Sequence, residues 1–142
     1  CIFIATIGAV PEKSIKSLQE SGDLYEALLL DASCSVLAED LALKAQNRWS
    51  DEALKKLENR DILYSMRYSP GYCQWDVSGQ FALFGYMGGV NLPVSLTKNG
   101  MMHPRKSISG LIVLEEIDPA SKLSGSCRLC ENRCRNIRLL NI

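Results

Sequence analysis

Apolar and polar positions along the first part of the chain predict a strand followed by a short helix. Residues 1–7 form an apolar run with the length of a buried strand. Beyond it, Pro11 suits a first helical turn, and Ile15 and Leu18 have the spacing of one helix face. Gly22 then ends the helix, because glycine readily adopts the conformation found after a helical C-terminus.

Residues 24–49 contain neither Gly nor Pro and are rich in Leu and Ala, which predicts the longest helix of the protein. Asp23 and Glu26 have the spacing of a capping box at its start. The first half of this helix is apolar almost all round, so we expect it to be the central core helix. Ser50, followed by two acidic residues, predicts the cap of a separate helix that runs to residue 59.

The remaining pattern completes an α+β fold. It predicts a strand over 62–66, a helix over 79–87 capped by Ser78, and strands over 94–96 and 107–117. Such an order favours a mixed, largely antiparallel twisted sheet with helices packed against it, rather than repeated βαβ units. Residues 1–118 are predicted to form the core, and residues 119–142 a Ser/Gly-tethered tail bearing Cys and Arg. Since the chain begins without Met on a core strand, we expect a further N-terminal portion before it.

Composition excludes several classes of protein. The 142 residues are 46% hydrophobic and carry 16 basic and 16 acidic side chains, which is typical of a globular domain and unlike a nucleic-acid binder. No apolar stretch reaches the roughly 20 residues that span a bilayer. Six unevenly spaced cysteines do not indicate a disulfide scaffold, so we expect a cytoplasmic protein.

The charges are unevenly distributed along the chain. Residues 1–66 hold seven Lys/Arg against eleven Asp/Glu, whereas residues 67–142 hold nine against five. Either the second half prefers an anionic partner, or the two halves pack together through complementary surfaces.

The segment from Arg67 to Tyr72 is the clearest candidate binding site. An arginine at the end of a strand, two residues before a Ser69-Pro70-Gly71 turn, can hold a carboxylate through two parallel hydrogen bonds. Ser69 adds a hydroxyl, the backbone at Pro70 and Gly71 can approach a ligand closely, and Tyr72 can close over it. The alternative is a plain tight turn in which Arg67 pairs with a nearby acid, Asp61 or Asp76.

Cysteines near the end of the chain form a candidate metal site. Cys127, Cys130 and Cys134 begin with the Cys-x-x-Cys spacing that binds Zn²⁺ or an iron–sulfur cluster. Three ligands are one too few, and Cys73 or His103 is a candidate for the fourth. The alternative, unligated thiols in a terminal segment, stays open.

Longer motifs carry a resemblance to a known family. They are Arg67-Tyr68-Ser69-Pro70-Gly71-Tyr72, then Trp75-Asp76-Val77-Ser78-x-Gln80-x-x-Leu83-Phe84, and then Leu96-Thr97-x-x-x-Met101-Met102-x-Pro104-x-Lys106-Ser107-x-Ser109-Gly110. In order and spacing this series resembles the activation domain of cobalamin-dependent methionine synthase. The start of the chain is similar to the smaller stand-alone relatives of that domain, so the resemblance covers most of residues 1–110. The chain departs from the family pattern at Lys98 and Asn99, where Glu-Ser is usual, and at Gly79, where Glu is common.

The resemblance implies an S-adenosylmethionine-binding module that supports reductive remethylation of a cobalamin carried by a partner protein. By the same resemblance, Arg67 holds the methionine carboxylate, the backbone from Ser69 to Gly71 lines the adenosyl end, and Tyr72 packs against the ligand. The module positions its ligand and is not a complete methyltransferase. Two alternatives are a ligand-free scaffold that docks on a corrinoid protein, and an iron–sulfur or metal-bearing accessory of corrinoid activation.

Overall fold

The α+β architecture is confirmed by a computed structural model, which describes residues 1–57, 63–72 and 75–116. The order of helices and strands along these residues is close to the predicted order. In chain order they are β1 (Ile2–Thr6), α1 (Val10–Ser21), α2 (Leu24–Leu54), β2 (Leu63–Tyr68), α3 (Gly79–Tyr86), β3 (Ser95–Leu96), β4 (Met102–His103) and β5 (Ser107–Glu116).

The main sheet is antiparallel, and within the described residues its strand order is β1-β5-β2. The long strand β5 pairs with β1 through its first half and with β2 through its second half. Phe3 lies opposite Gly110, and Arg67 lies opposite Ile112. Strands β3 and β4, the second of which the sequence pattern does not predict, form a separate antiparallel pair. β5 therefore joins the beginning of the chain to its middle.

The core lies between α2 and one face of this sheet. Phe3, Ala5 and Ile112 point from the sheet to Ala42 of α2, which is fully buried, and Trp49 packs against the same cluster. Along α2 the buried residues are small, and they recur at intervals of roughly one or two helical turns: Ala27, Cys34, Ala38, Ala42 and Ser50. Small side chains allow the helix to lie close to the sheet, so the large aliphatic residues of α2 are not needed there.

The prediction that the first half of α2 is buried on all sides is wrong. Leu28, Leu29, Val36 and Leu37 are each about half or more exposed. They point away from the sheet, because the stripe of small residues lies on the side of α2 that faces it. Hydrophobicity alone therefore identifies the helix but not its buried side.

The helix begins at Leu24 as predicted, but its predicted C-terminal end and the predicted cap at its start are corrected. The helix continues through Ser50, whose hydroxyl donates to the carbonyl of Gln46 at 2.6 Å instead of capping a new helix. Serine commonly forms such a bond to the carbonyl four residues earlier inside a helix. At the other end, Asp23 precedes the helix but makes no capping hydrogen bond, and its carboxylate accepts the hydroxyl of Ser21 instead.

Candidate functional site

The segment after β2 forms the tight turn that the sequence predicts. The amide of Tyr72 donates to the carbonyl of Ser69 at 3.3 Å, and the amide of Gly71 donates to the carbonyl of Trp75 at 2.7 Å. Gly71 has φ of 90°, a left-handed conformation that favours glycine. Pro70 is buried, whereas the side chain of Tyr72 is 64% exposed. The turn is thus held by backbone bonds and leaves the tyrosine ring accessible.

A close approach between backbones places this turn against β5. A Cβ atom on Gly110 would lie 2.2 Å from the carbonyl oxygen of Tyr68 and 2.8 Å from the hydroxyl of Ser69. Only glycine leaves room there for the end of β2, whose antiparallel ladder with β5 ends at the pair Tyr68 and Leu111. Residues 107–110 of β5 extend beyond the end of β2.

A cavity of about 280 Å³ lies beside this extension of β5. Its walls come from the turn, from the start of α3 and from the segment that includes β4 and the first residues of β5. The lining residues are Ser69, Pro70, Tyr72, Val77, Gln80, Gly100, Met101, Met102, Arg105, Lys106, Ser107, Ile108 and Ser109. We call this the turn cavity. Apolar walls with a few polar groups are the usual composition of small-molecule sites.

Two buried serines and a glutamine provide polar groups in the turn cavity. The hydroxyl of Ser109 donates to Oε1 of Gln80 at 2.5 Å, and both side chains are at least 95% buried. The hydroxyl of Ser107 lies 2.6 Å from the carbonyl of Pro104 and 2.8 Å from the hydroxyl of Thr6. These contacts hold the polar side chains in fixed orientations.

Arg67 points to the other face of the sheet, toward α2. Its Nη2 atom forms an ion pair with Oε2 of Glu39 at 2.7 Å, and the side chain is 23% exposed. Its Nη1 atom is buried and has no hydrogen-bond partner within the described parts of the chain. The partner acid is neither Asp61 nor Asp76, the two that the sequence suggested. Asp61 lies outside the described residues, and the carboxylate of Asp76 accepts the backbone amide of Ser78.

The structure brings some of the predicted site residues together. Ser69, Pro70 and Tyr72 line the turn cavity, and Gly71 shapes the turn without being one of the lining residues. Arg67 also lies outside the lining and reaches α2. Sequence reasoning missed Glu39, because a residue 28 positions earlier meets Arg67 only through the packing of α2 on the sheet. It also assigned no ligand contact to Gln80.

Hydrogen bonds at the start of α3 affect the acidity of one carboxyl group. The hydroxyl and the backbone amide of Ser78 donate to Asp76 and lower the pKa of that exposed carboxyl group. Asp76 is therefore charged near the N-terminus of α3, where a negative charge is favourable. Ser78 precedes α3 as predicted, but it makes no capping bond through its side chain.

A tryptophan occupies the space beside Gly79. A Cβ atom on Gly79 would lie 2.2 Å from Nε1 of Trp75, so the indole fills the volume that any side chain at position 79 would need. The departure from the family pattern at Gly79 therefore has a local structural reason. Lys98, the other departure, is exposed in the turn between β3 and β4.

A second cavity, of about 290 Å³, lies between α1, α2 and residues 105–106. Lys106 forms an ion pair with Asp31 at 2.8 Å and donates to the hydroxyl of Ser35 at 2.8 Å. Glu12 accepts the backbone amide of Arg105 and lies 3.8 Å from His103. The charged groups here are mostly paired with each other.

The predicted metal site is not tested by these contacts. Cys73, Cys127, Cys130 and Cys134 lie outside the described residues, and His103 is 64% exposed. Within the described ranges, no three His, Cys, Asp or Glu side chains are grouped in a way that could hold a metal ion. No helix in those ranges is long and apolar enough to cross a membrane.

An antiparallel sheet backed by a long helix, with a cavity between a Pro-Gly turn and the central strand, defines an α+β domain with a candidate small-molecule site. Residues 1–123 match the family described as the vitamin B12 dependent methionine synthase, activation domain. The match covers most of the chain, which therefore belongs to this family. A comparison with curated proteins finds no match.

Proposed function

We propose that the chain binds S-adenosylmethionine at Arg67 and the turn cavity, and that it presents this ligand to a corrinoid held by a partner protein. Membership of the family supports the ligand class and the cobalamin-dependent context. The observation that carries the proposal is the guanidinium of Arg67, which has one nitrogen paired and one nitrogen buried without a partner among the residues that the structure describes.

Arg67 and Glu39 together suit the amino-acid end of the ligand. A buried nitrogen without a hydrogen bond is costly, and a ligand carboxylate would satisfy Nη1. The carboxylate of Glu39 is 53% exposed and can accept the ligand's ammonium group while it keeps its bond to Nη2. An α-amino acid carries both charges on one carbon, so the ion pair matches it in charge.

The turn cavity suits the rest of the ligand, which would have to pass around the end of β2 at Tyr68, because Arg67 points to the opposite face of the sheet. Pro70, Tyr72 and Met101 provide apolar surface, and Ser69 provides a hydroxyl group. S-adenosylmethionine supplies an activated methyl group on its sulfonium sulfur. The residues of this chain bind and orient the ligand, so their contribution to the reaction is proximity and orientation.

The proposal is tested by calorimetric titration of S-adenosylmethionine into the purified chain and into an Arg67→Ala variant. Removing the charged hydrogen bonds is expected to weaken binding by about 1.5–3 kcal/mol. The matched control is Arg48→Ala, because Arg48 also pairs with a glutamate but is 85% exposed and lies on the outer part of α2. We expect this control to bind like the unchanged chain.

Three outcomes would be informative. Loss of affinity in Arg67→Ala alone supports the proposed site. Equal affinity in all three proteins would remove Arg67 from it. If the unchanged chain does not bind S-adenosylmethionine but still forms a complex with a corrinoid protein, the proposal is overturned in favour of a ligand-free scaffold.

A further inference from the structure

The side of α2 that faces away from the sheet carries large apolar side chains. Tyr25, Leu28, Leu29, Val36 and Leu43 are each about half or more exposed. Tyr25, Leu29, Val36 and Leu43 follow each other at intervals of four and seven residues, so they lie on one side of the helix. We call these five residues the outer face of α2. Single exposed hydrophobic residues are ordinary, but a group on one helix face marks an interaction surface.

The charge of α2 limits what can cover this face. The helix carries six acidic side chains against two basic ones, a net charge of −4: Glu26, Asp31, Glu39, Asp40, Asp51 and Glu52 against Lys44 and Arg48. Arg67 and Lys106 pair with two of the acids, which still leaves an excess of negative charge. Two copies of the helix packed face to face would bring like charges together, which is unfavourable. The face therefore suits a basic, apolar segment better than a second copy of itself.

The end of the chain has the complementary composition. Residues 133–142, which we call the terminal segment, contain three arginines, four large aliphatic residues and no acidic side chain: Arg133, Arg135 and Arg138, with Ile137, Leu139, Leu140 and Ile142. Aliphatic side chains can cover the outer face while arginines reach the carboxylates beside it. Of the two explanations for the uneven charge distribution along the chain, this complementarity favours packing between the halves.

The terminal segment can reach α2 from the end of β5. The last residue of β5 lies opposite Leu63, and the side chain of Gln46 donates to the carbonyl of Ser65 on the same strand β2. Hence β5 ends beside the second half of α2. From Gln46 back to Val36 is about 15 Å along the helix axis. Residues 117–132 can span up to about 50 Å when extended, so their length allows the contact.

We propose that the terminal segment packs on the outer face of α2 of the same chain, with its aliphatic side chains on this face and its arginines beside the exposed carboxylates. The contact removes apolar side chains of α2 from water, which stabilises the folded chain. It is intramolecular and does not involve S-adenosylmethionine, so it is independent of the proposed function.

The test is amide hydrogen exchange of the terminal segment in the full chain, compared with a free peptide of the same residues. Docking is expected to slow exchange by about tenfold or more, because packed amides exchange only when the contact opens. Val36→Lys places a positive charge on the outer face, so exchange should return to within about twofold of the peptide. Val36→Glu should retain more protection, because its charge attracts the arginines.

The matched control is Val90→Lys. Val90 is 64% exposed, similar to the 69% of Val36, but it lies between α3 and β3. This variant should keep the protection of the unchanged chain. Thermal unfolding checks that both lysine variants are folded. Leu139→Lys in the terminal segment leaves α2 unaltered and should lose protection as Val36→Lys does.

Each outcome decides for or against this contact. Exchange at the rate of the peptide in the unchanged chain would overturn the inference. Persistence of the protection in a folded Val36→Lys variant would also overturn it, because the segment would then pack elsewhere. Greater loss in Val36→Glu than in Val36→Lys would contradict docking by a basic segment. A dimer mass in light scattering, with protection that disappears on dilution, would assign the outer face to a second copy instead.

Discussion

Gly110 is the residue whose substitution has the most direct structural consequence. The carbonyl of Tyr68 and the hydroxyl of Ser69 occupy the space that its Cβ atom would take. The carbonyl belongs to the backbone, so it cannot move without shifting the end of β2. The glycine thus permits the close approach between the end of β2 and β5, beside the turn cavity.

We predict that Gly110→Ala destabilises the protein by about 1–3 kcal/mol, the usual cost of placing an extra carbon in a packed position. Denaturant unfolding measures this difference. Gly85→Ala is the control, because a Cβ atom at Gly85 would have no neighbour within 4 Å and alanine favours a helix. A Gly110→Ala variant as stable as the original would contradict the close approach.

At the scale of elements, α2 shows why its buried side was mispredicted. Ala42 is fully buried against the sheet, whereas the neighbouring Leu43 is 49% exposed. A hydrophobicity scale ranks leucine above alanine and would therefore place Leu43, not Ala42, on the buried side of the helix. The length of the helix could be predicted approximately, because it follows from the absence of Gly and Pro. Its buried face depends on how closely the sheet approaches, and that distance is not encoded locally.

The two neighbours should respond differently to substitution. Ala42→Leu adds three carbons where Phe3 and Ile112 already pack, so we expect a loss of about 1–3 kcal/mol. Leu43→Ala removes an exposed side chain and should change stability by no more than about 0.5 kcal/mol. Both changes in the free energy of unfolding can be measured by chemical denaturation, with one dependence on denaturant concentration used for all the variants. The reverse order would mean that Leu43, not Ala42, faces the core.

At the scale of the whole molecule, β5 connects parts of the chain that are far apart in sequence. It pairs with β1, pairs with β2 and contacts α2 through Ile112, which is 1% exposed. Ile112→Ala is expected to cost about 2–5 kcal/mol. Helix content from circular dichroism and the fluorescence of Trp49 and Trp75 should both report the same lowered midpoint. A separate transition for either signal would show that α2 and the sheet unfold independently.

The candidate site could be predicted only in part. The local turn from Ser69 to Tyr72 follows from Pro and Gly in adjacent positions, and the structure confirms it. Glu39 and Gln80 could not be assigned in the same way. Glu39 meets Arg67 only when α2 lies on the sheet, and Gln80 meets Ser109 only when α3 packs on β5. Contacts between distant segments require the fold, whereas turns require only their own residues.

The indole of Trp75 and the missing side chain of Gly79 make these two positions dependent on each other. A glutamate at position 79 would collide with the indole, whereas a small residue at position 75 would leave room for it. A lineage that replaced glycine first would pass through a strained protein. A lineage that first replaced the tryptophan with a smaller residue would pass through a loosely packed protein. The order of the two substitutions is therefore constrained. Evolution between this chain and relatives with glutamate there is expected to follow the second order.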